Sequence, residues 1–398
     1  MSRYSARSSG QWCVFSASRL IRSGSLLLLA CVASIAPAHA DTEPVAPLQV
    51  ATSRPASPKV EAAHAAVQKA PRFGVRTLAG FGEIPVYTWP ASGSDALNHA
   101  GFPQSFTRAV IVVHGIRRNA DDYLENLRKA LGRSTDGVLL IAPRFSSTAD
   151  VKNDKLPPDV LAWSKGDWSD GAAADGPAPI ASFDVLDAML TALSDRSQFP
   201  ALRQIVVAGF SAGGQMVQRY AVAGAVFSAV EQQGIQLRWV VGDPGSVVYF
   251  DDLRPAPKGS FAPFSAAACP NFNTWKYGFE QPPPYVAGRN TSQMAGDYAL
   301  RDVVYLLGGA DTNALHPLLD KSCAGEAQGP HRYARLTNYI AYLKEREPQR
   351  LAHRWGIAPG AGHSDAQVFQ SACGRAALFD APGCSLTAAR EAVPPTIK

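Results

Sequence analysis

From about residue 72 onward, short apolar runs alternate with helix-length amphipathic stretches. The apolar runs are Ala109–Val113, Val138–Ala142, Ile205–Ala208, Leu237–Val241, Val303–Leu307 and His353–Ile357. Most are continuous and rich in β-branched residues, the pattern of strands covered on both faces. Between them lie Asp121–Leu131, Ile180–Ser194, Gln215–Val230 and Tyr333–Glu345, which read as helices with one apolar face. This alternation predicts an α/β fold with a mostly parallel sheet and helices on both faces. Two more polar runs, Val75–Leu78 and Ile84–Tyr87, predict an antiparallel edge.

Residues 244–300 break the rhythm. They hold Pro244, Pro255, Pro257, Pro263, Pro270 and Pro282-Pro283-Pro284, with many aromatics and no visible core strand. Aromatic density argues against disorder. A long insertion inside a compact domain then reads as an ordered cap over the carboxyl ends of the strands.

The start of the chain has a different character. Arg3, Arg7, Arg19 and Arg22 precede an apolar stretch, Leu26–Ile35, and then Pro37 and Ala38-His39-Ala40. A basic start, a short apolar run and a small-residue site predict an export signal over residues 1–40, cleaved after Ala40. About ten apolar residues are too few to span a bilayer. A lipoprotein signal with Cys31 lipidated is the alternative. Residues 41–72, rich in Ala, Pro, Ser and Val, read as a lead-in to a domain at 73–398. The formal charge of +5 comes almost wholly from residues 1–40; the remainder carries 34 basic and 33 acidic residues. That balance gives no nucleic-acid footprint. Oligomeric state is unreadable. Export suits the cysteines: Cys373 and Cys384 bracket a short Gly- and Pro-containing loop, and Cys269 and Cys323 pair by elimination. No C-x-x-C is present and the histidines lack ligand spacing, so no metal is expected.

In parallel sheets, ligands bind beyond the carboxyl ends of the strands. After Ile205–Ala208 comes Gly209-Phe210-Ser211-Ala212-Gly213, followed by a helix-compatible run. Strand, tight turn and helix form the setting of a nucleophile elbow, with Ser211 raised on a strained turn. A serine hydroxyl needs a base, and the base needs a carboxylate to fix its tautomer. His363, in Pro359-Gly360-Ala361-Gly362-His363, is the candidate base. Asp311, in Gly308-Gly309-Ala310-Asp311, is the candidate acid, with Asp243 as its rival one strand earlier. A tetrahedral intermediate needs fixed N–H donors; Ala212 and Ile116, the latter after His114-Gly115, are the candidates. Arg117 and Arg118 either meet a substrate carboxylate or pair with Asp121 and Asp122 at the surface. Phe210, Trp275 and Tyr277 are candidates for lining a substrate pocket.

Val112-Val113-His114-Gly115, Gly209-Phe210-Ser211-Ala212-Gly213, Gly309-Ala310-Asp311 and Gly362-His363 together resemble the α/β-hydrolase superfamily, from about residue 73 onward. Val113–Ala120 and Trp275–Gly278 are similar to strings in secreted bacterial and fungal hydrolases of little assigned function. The resemblance implies an eight-stranded, mostly parallel sheet, a Ser-His-Asp triad, acyl transfer through an acyl-enzyme and no cofactor. The fold itself does not fix a substrate; the chain is expected to be an exported serine hydrolase acting on a small-molecule or polymeric carboxylic ester. The chain departs from the HGGG run of one esterase group by reading His114-Gly115-Ile116-Arg117, and Phe210 stands where many lipases have His. A peptidase or amidase, and a non-catalytic binding module on the same fold, are the rival expectations.

Overall fold

The computed structural model describes residues 66–91, 97, 105–133, 136–164 and 166–397. The expected export signal, its Cys31 alternative and most of the lead-in lie outside the described residues. At 66–69 a helical turn buries Val67 against Leu156 and Val160.

The polar pair forms a hairpin, β1 (Arg72–Thr77) and β2 (Gly80–Trp89). Then come β3 (Arg108–Val113), α1 (Ala120–Leu131), β4 (Val138–Pro143), α2 (Ser182–Leu193), β5 (Gln204–Phe210), α3 (Ala212–Ala223) and β6 (Gln236–Gly242). After them follow α4 (Thr291–Leu300), β7 (Asp302–Gly308), α5 (Arg332–Arg346), β8 (Arg354–Ala358), α6 (Asp365–Gln370), α7 (Ala372–Phe379) and β9 (Thr387–Ala388). The main sheet runs β1-β2-β4-β3-β5-β6-β7-β8-β9. Its six strands from β4 to β8 are mutually parallel, and antiparallel strands close both edges.

This is an α/β-hydrolase fold with nine strands where eight were expected. The ninth, β9, is two residues long and pairs antiparallel with Arg354 and Trp355 of β8. So short and half-polar a strand leaves no apolar run to read.

The strand interior explains the two layers. Along β3, Ala109, Ile111 and Val113 face one core with α2, α3, α4 and α5. Val110 and Val112 face the other, with α1, α6 and α7. Alternate residues of a strand point to opposite faces, so a strand buried on both must be apolar throughout. The long helical stretch Gln215–Val230 divides at Gly224 into α3 and a short helix, Phe227–Gln232.

Residues 244–300 are heterogeneous. Val247, Val248 and Tyr249 enter the main core. Leu253–Pro255 and Phe261–Pro263 form a small separate hairpin, and α4 leads into β7. A disulfide joins Cys269 to Cys323, and a second joins Cys373 to Cys384.

Candidate active site

Five parallel strands end at one edge, and each delivers a residue there: His114 after β3, Ser211 after β5, Asp243 after β6, Asp311 after β7 and His363 after β8. Ser211 has φ +59°, in the left-handed region that costs a non-glycine residue energy. Only glycines permit the turn. A Cβ on Gly209 would lie 2.3 Å from the Gly213 carbonyl oxygen, and one on Gly213 would lie 2.1 Å from that of Val113. The turn therefore packs backbone on backbone, and Ser211 stands clear at its apex.

Three sequence candidates meet. The Ser211 hydroxyl is 2.9 Å from Nε2 of His363, and Nδ1 of His363 is 2.6 Å from Oδ2 of Asp311. Asp311 is buried, and its second oxygen faces the buried guanidinium of Arg332, with Nη1 at 3.6 Å. The rival, Asp243, is fully buried at φ +33°, and its two oxygens accept the Gly308 N–H at 3.1 and 2.9 Å. Burial, and next the charge of Asp311, push the Asp243 carboxyl well above the usual carboxylate range. Asp311, and not Asp243, is bonded to the imidazole. Asp243, Asp311 and His363 each bring one ligand atom within 4.8 Å of the others, the one such group among the described residues. Those atoms already serve hydrogen bonds to one another, to Gly308 and to Ser211.

The two candidate backbone donors, Ile116 and Ala212, belong to residues that line the space at Ser211. Ala212 opens α3, so its N–H has no partner within the helix. Ile116 follows a loop held by His114. The buried His114 ring contacts the Gly115 carbonyl through Nδ1 at 2.8 Å and accepts the Phe145 N–H on Nε2 at 3.0 Å. Burial lowers its pKa to about 3. It is therefore neutral near pH 7, with its proton on Nδ1, and acts as a fixed brace.

Two clefts open at Ser211. The narrower, about 170 Å³, is lined by Arg117, Asn119, Phe210, His316 and His363 among others. The wider, about 320 Å³, is lined by Ala212, Gln215, Lys276, Tyr277 and Arg332 among others. Ile116 and Leu318 border both. Phe210 lies against the base, its ring centroid 4.8 Å from that of His363. Tyr277 donates its hydroxyl to Asp320 at 2.7 Å. Trp275 lines neither cleft: its indole N–H donates to the Asp170 carbonyl at 2.7 Å and its ring meets Phe279 edge-on. Arg118 pairs with Asp150, not with Asp121 or Asp122.

Two site residues escaped the sequence reading. Arg332 begins a helix remote in sequence from Asp311, and His316 sits edge-on to His363 with centroids 5.2 Å apart. Neither lies at a strand end, so nothing local marks them.

No family model matches the sequence, and no curated protein matches it. Among solved structures, poly(aspartic acid) hydrolase-1 from Sphingomonas sp. KT-1 superposes with a TM-score of 0.50 at 20% identity, covering 76% of this chain and 97% of that one. LpqC, a poly(3-hydroxybutyrate) depolymerase from Bordetella parapertussis, superposes with a TM-score of 0.51 at 20% identity, covering 80% and 94%. At such identity the likeness is one of fold.

Proposed function

We propose that this chain is a serine hydrolase that cleaves carboxylic esters through an acyl-enzyme. The observation that supports it is the chain of hydrogen bonds from Ser211 through His363 to Asp311, at 2.9 and 2.6 Å, at the carboxyl edge of the sheet. His363 takes the Ser211 proton as Oγ attacks the ester carbonyl carbon. Asp311 fixes the tautomer with Nδ1 protonated and stabilises the imidazolium, while Arg332 holds the far side of Asp311. The carbonyl oxygen, now negative, meets the N–H groups of Ile116 and Ala212. His363 returns the proton to the departing alcohol, and water repeats the sequence on the acyl-enzyme. The leaving alcohol thus occupies the narrower cleft, which His363 lines, and the acyl group the wider one, beside Ala212.

The same groups serve an amide. One structural neighbour is named for a polyester and the other for poly(aspartic acid), a polyamide, which keeps amide hydrolysis as the second reading. Within this proposal the chain is exported. Its two disulfides suit an oxidising compartment, and no described helix is long and apolar enough to cross a membrane. Residues 244–300 supply part of the wall over the site through Lys276 and Tyr277.

Labelling with a fluorophosphonate, followed by rates on 4-nitrophenyl esters and matched anilides, tests the reading. Ser211→Ala should abolish labelling and lower kcat by roughly 10⁴-fold or more with the melting temperature kept. Activity within about tenfold of wild type would refute Ser211 as nucleophile. Anilides turned over as fast as esters would favour the amidase.

A further inference from the structure

The polar groups of the wider cleft have a common character. In α3 every residue but Gln215 is buried. Gln215 stands one helical turn after Ser211 and lines the cleft. Its orientation is fixed from behind, because Oε1 accepts from Arg219 at 3.1 Å and from Ser246 at 3.0 Å. A guanidinium can only donate, so the oxygen must face Arg219. The amide NH2 is thereby left beside Gly245, another residue of the cleft wall, and it makes no hydrogen bond among the described residues.

Lys276 lines the same cleft, half-buried. Its Nζ is 3.8 Å from Oδ2 of Asp170, beyond hydrogen-bond distance, while the fully buried Arg219 holds Oδ1 at 3.0 Å. The carboxylate on the cleft wall, Asp320, is already engaged: Oδ2 accepts from Tyr277, and Oδ1 from the N–H and hydroxyl of Ser322. Arg332 also borders the cleft, but its guanidinium is turned to Asp311 and donates to the Leu318 carbonyl at 2.8 Å. The Gln215 amide and the Lys276 ammonium are therefore the donors left for this space, and Lys276 carries charge.

We propose that the wider cleft receives an acyl group bearing a carboxylate, bound by Lys276 and Gln215, so that the substrates are esters of dicarboxylic or otherwise anionic acids. This rests on acyl transfer at Ser211. A carboxylate supplies acceptors for both donors and charge for the ammonium, and such charge-assisted bonds outweigh neutral ones. A plain alkyl chain would leave both groups desolvated and without a hydrogen-bond acceptor.

Mono-4-nitrophenyl adipate and 4-nitrophenyl hexanoate have the same chain length and leaving group and differ at the far end of the acyl chain. At low ionic strength the adipate ester should have a kcat/KM roughly tenfold or more above the hexanoate ester. The gap should narrow as salt is added. Lys276→Met should lower the adipate-to-hexanoate ratio by about tenfold through KM, Lys276→Glu should lower it further, and Gln215→Leu should lower it less. A wild-type preference for hexanoate overturns the proposal while leaving ester hydrolysis intact. So does a ratio unchanged in Lys276→Met when its thermal melt matches wild type. If neither ester turns over and the fluorophosphonate leaves Ser211 unlabelled, the acyl-transfer reading falls first and this one with it.

Discussion

Arg332 shows how a single buried charge can set a site. Its side chain is 1% exposed and faces Asp311, which is 2% exposed, with the buried Asp243 close behind. Removing the guanidinium leaves the buried Asp311 side chain with one hydrogen-bond partner among the described residues, His363. Arg332→Met should destabilise the fold by about 3–5 kcal/mol, the usual cost of breaking one side of a buried pair. It should also lower kcat more than it raises KM, because its effect on the reaction passes through Asp311. Arg332→Lys should recover much of the stability and less of the rate, since an ammonium lacks the planar fork. Urea melts and steady-state kinetics on one ester would check this; equal stability of Arg332→Met and wild type would remove Arg332 from the account. Ser211, Asp311 and His363 were legible in the sequence because each sits in a Gly-marked loop just beyond an apolar run. Arg332 and His316 were not, because their roles come from packing across distant segments.

At the scale of elements, legibility followed burial. Strands β3 to β7 were readable because both faces are covered and their positions are mostly apolar, Arg238 of β6 being a buried exception that pairs with Asp302 and Asp380. β9 was not, and the end of α3 at Gly224 is a capping event that a helical pattern overruns. The insertion was legible as a departure, yet its parts diverge: Val247–Tyr249 join the core, while Lys276 and Tyr277 reach the cleft and Trp275 does not. The Cys269–Cys323 bridge ties these parts together. Cys269 lies shortly before Lys276, and Cys323 shortly after Asp320, so the bridge joins two walls of the wider cleft. It closes a loop with a sequence separation of 54, for which chain entropy suggests about 4 kcal/mol. The double variant Cys269→Ser/Cys323→Ser should melt lower and raise KM for a long acyl ester, with kcat on an acetyl ester little changed. If KM for both esters stays at the wild-type value, the bridge does not shape the cleft.

For the whole molecule, the sequence leaves the pH dependence of stability unread, because it is set by which histidines become buried. His114 and His353 are both fully buried. His353 contacts the Tyr298 carbonyl through Nε2 at 2.7 Å and the Tyr305 hydroxyl through Nδ1 at 3.1 Å. Burial lowers its pKa from 6.5 to about 4, and that of His114 to about 3. In the unfolded chain both would protonate near pH 6.5. As pH falls below that value the unfolded state gains protons that the folded state refuses. The stability that neutral histidines contribute is therefore complete above about pH 7 and is lost progressively toward pH 4. Each contributes a slope approaching about 1.4 kcal/mol per pH unit in that window. Buried carboxyls with raised pKa values, Asp187 and Asp365 among them, act in the opposite sense, so the net curve for the wild type is shallower than two histidines alone would make it. A variant isolates the contribution. His353→Gln keeps an amide donor and acceptor but cannot titrate. Unfolding free energies from urea melts at pH 7 and pH 5 should show the variant less stable than wild type at pH 7. Its deficit should shrink by about 1.8 kcal/mol at pH 5, as the wild type loses what the variant never had. Parallel losses in the two proteins would mean that His353 takes up its proton in the folded state, and that the buried site admits charge.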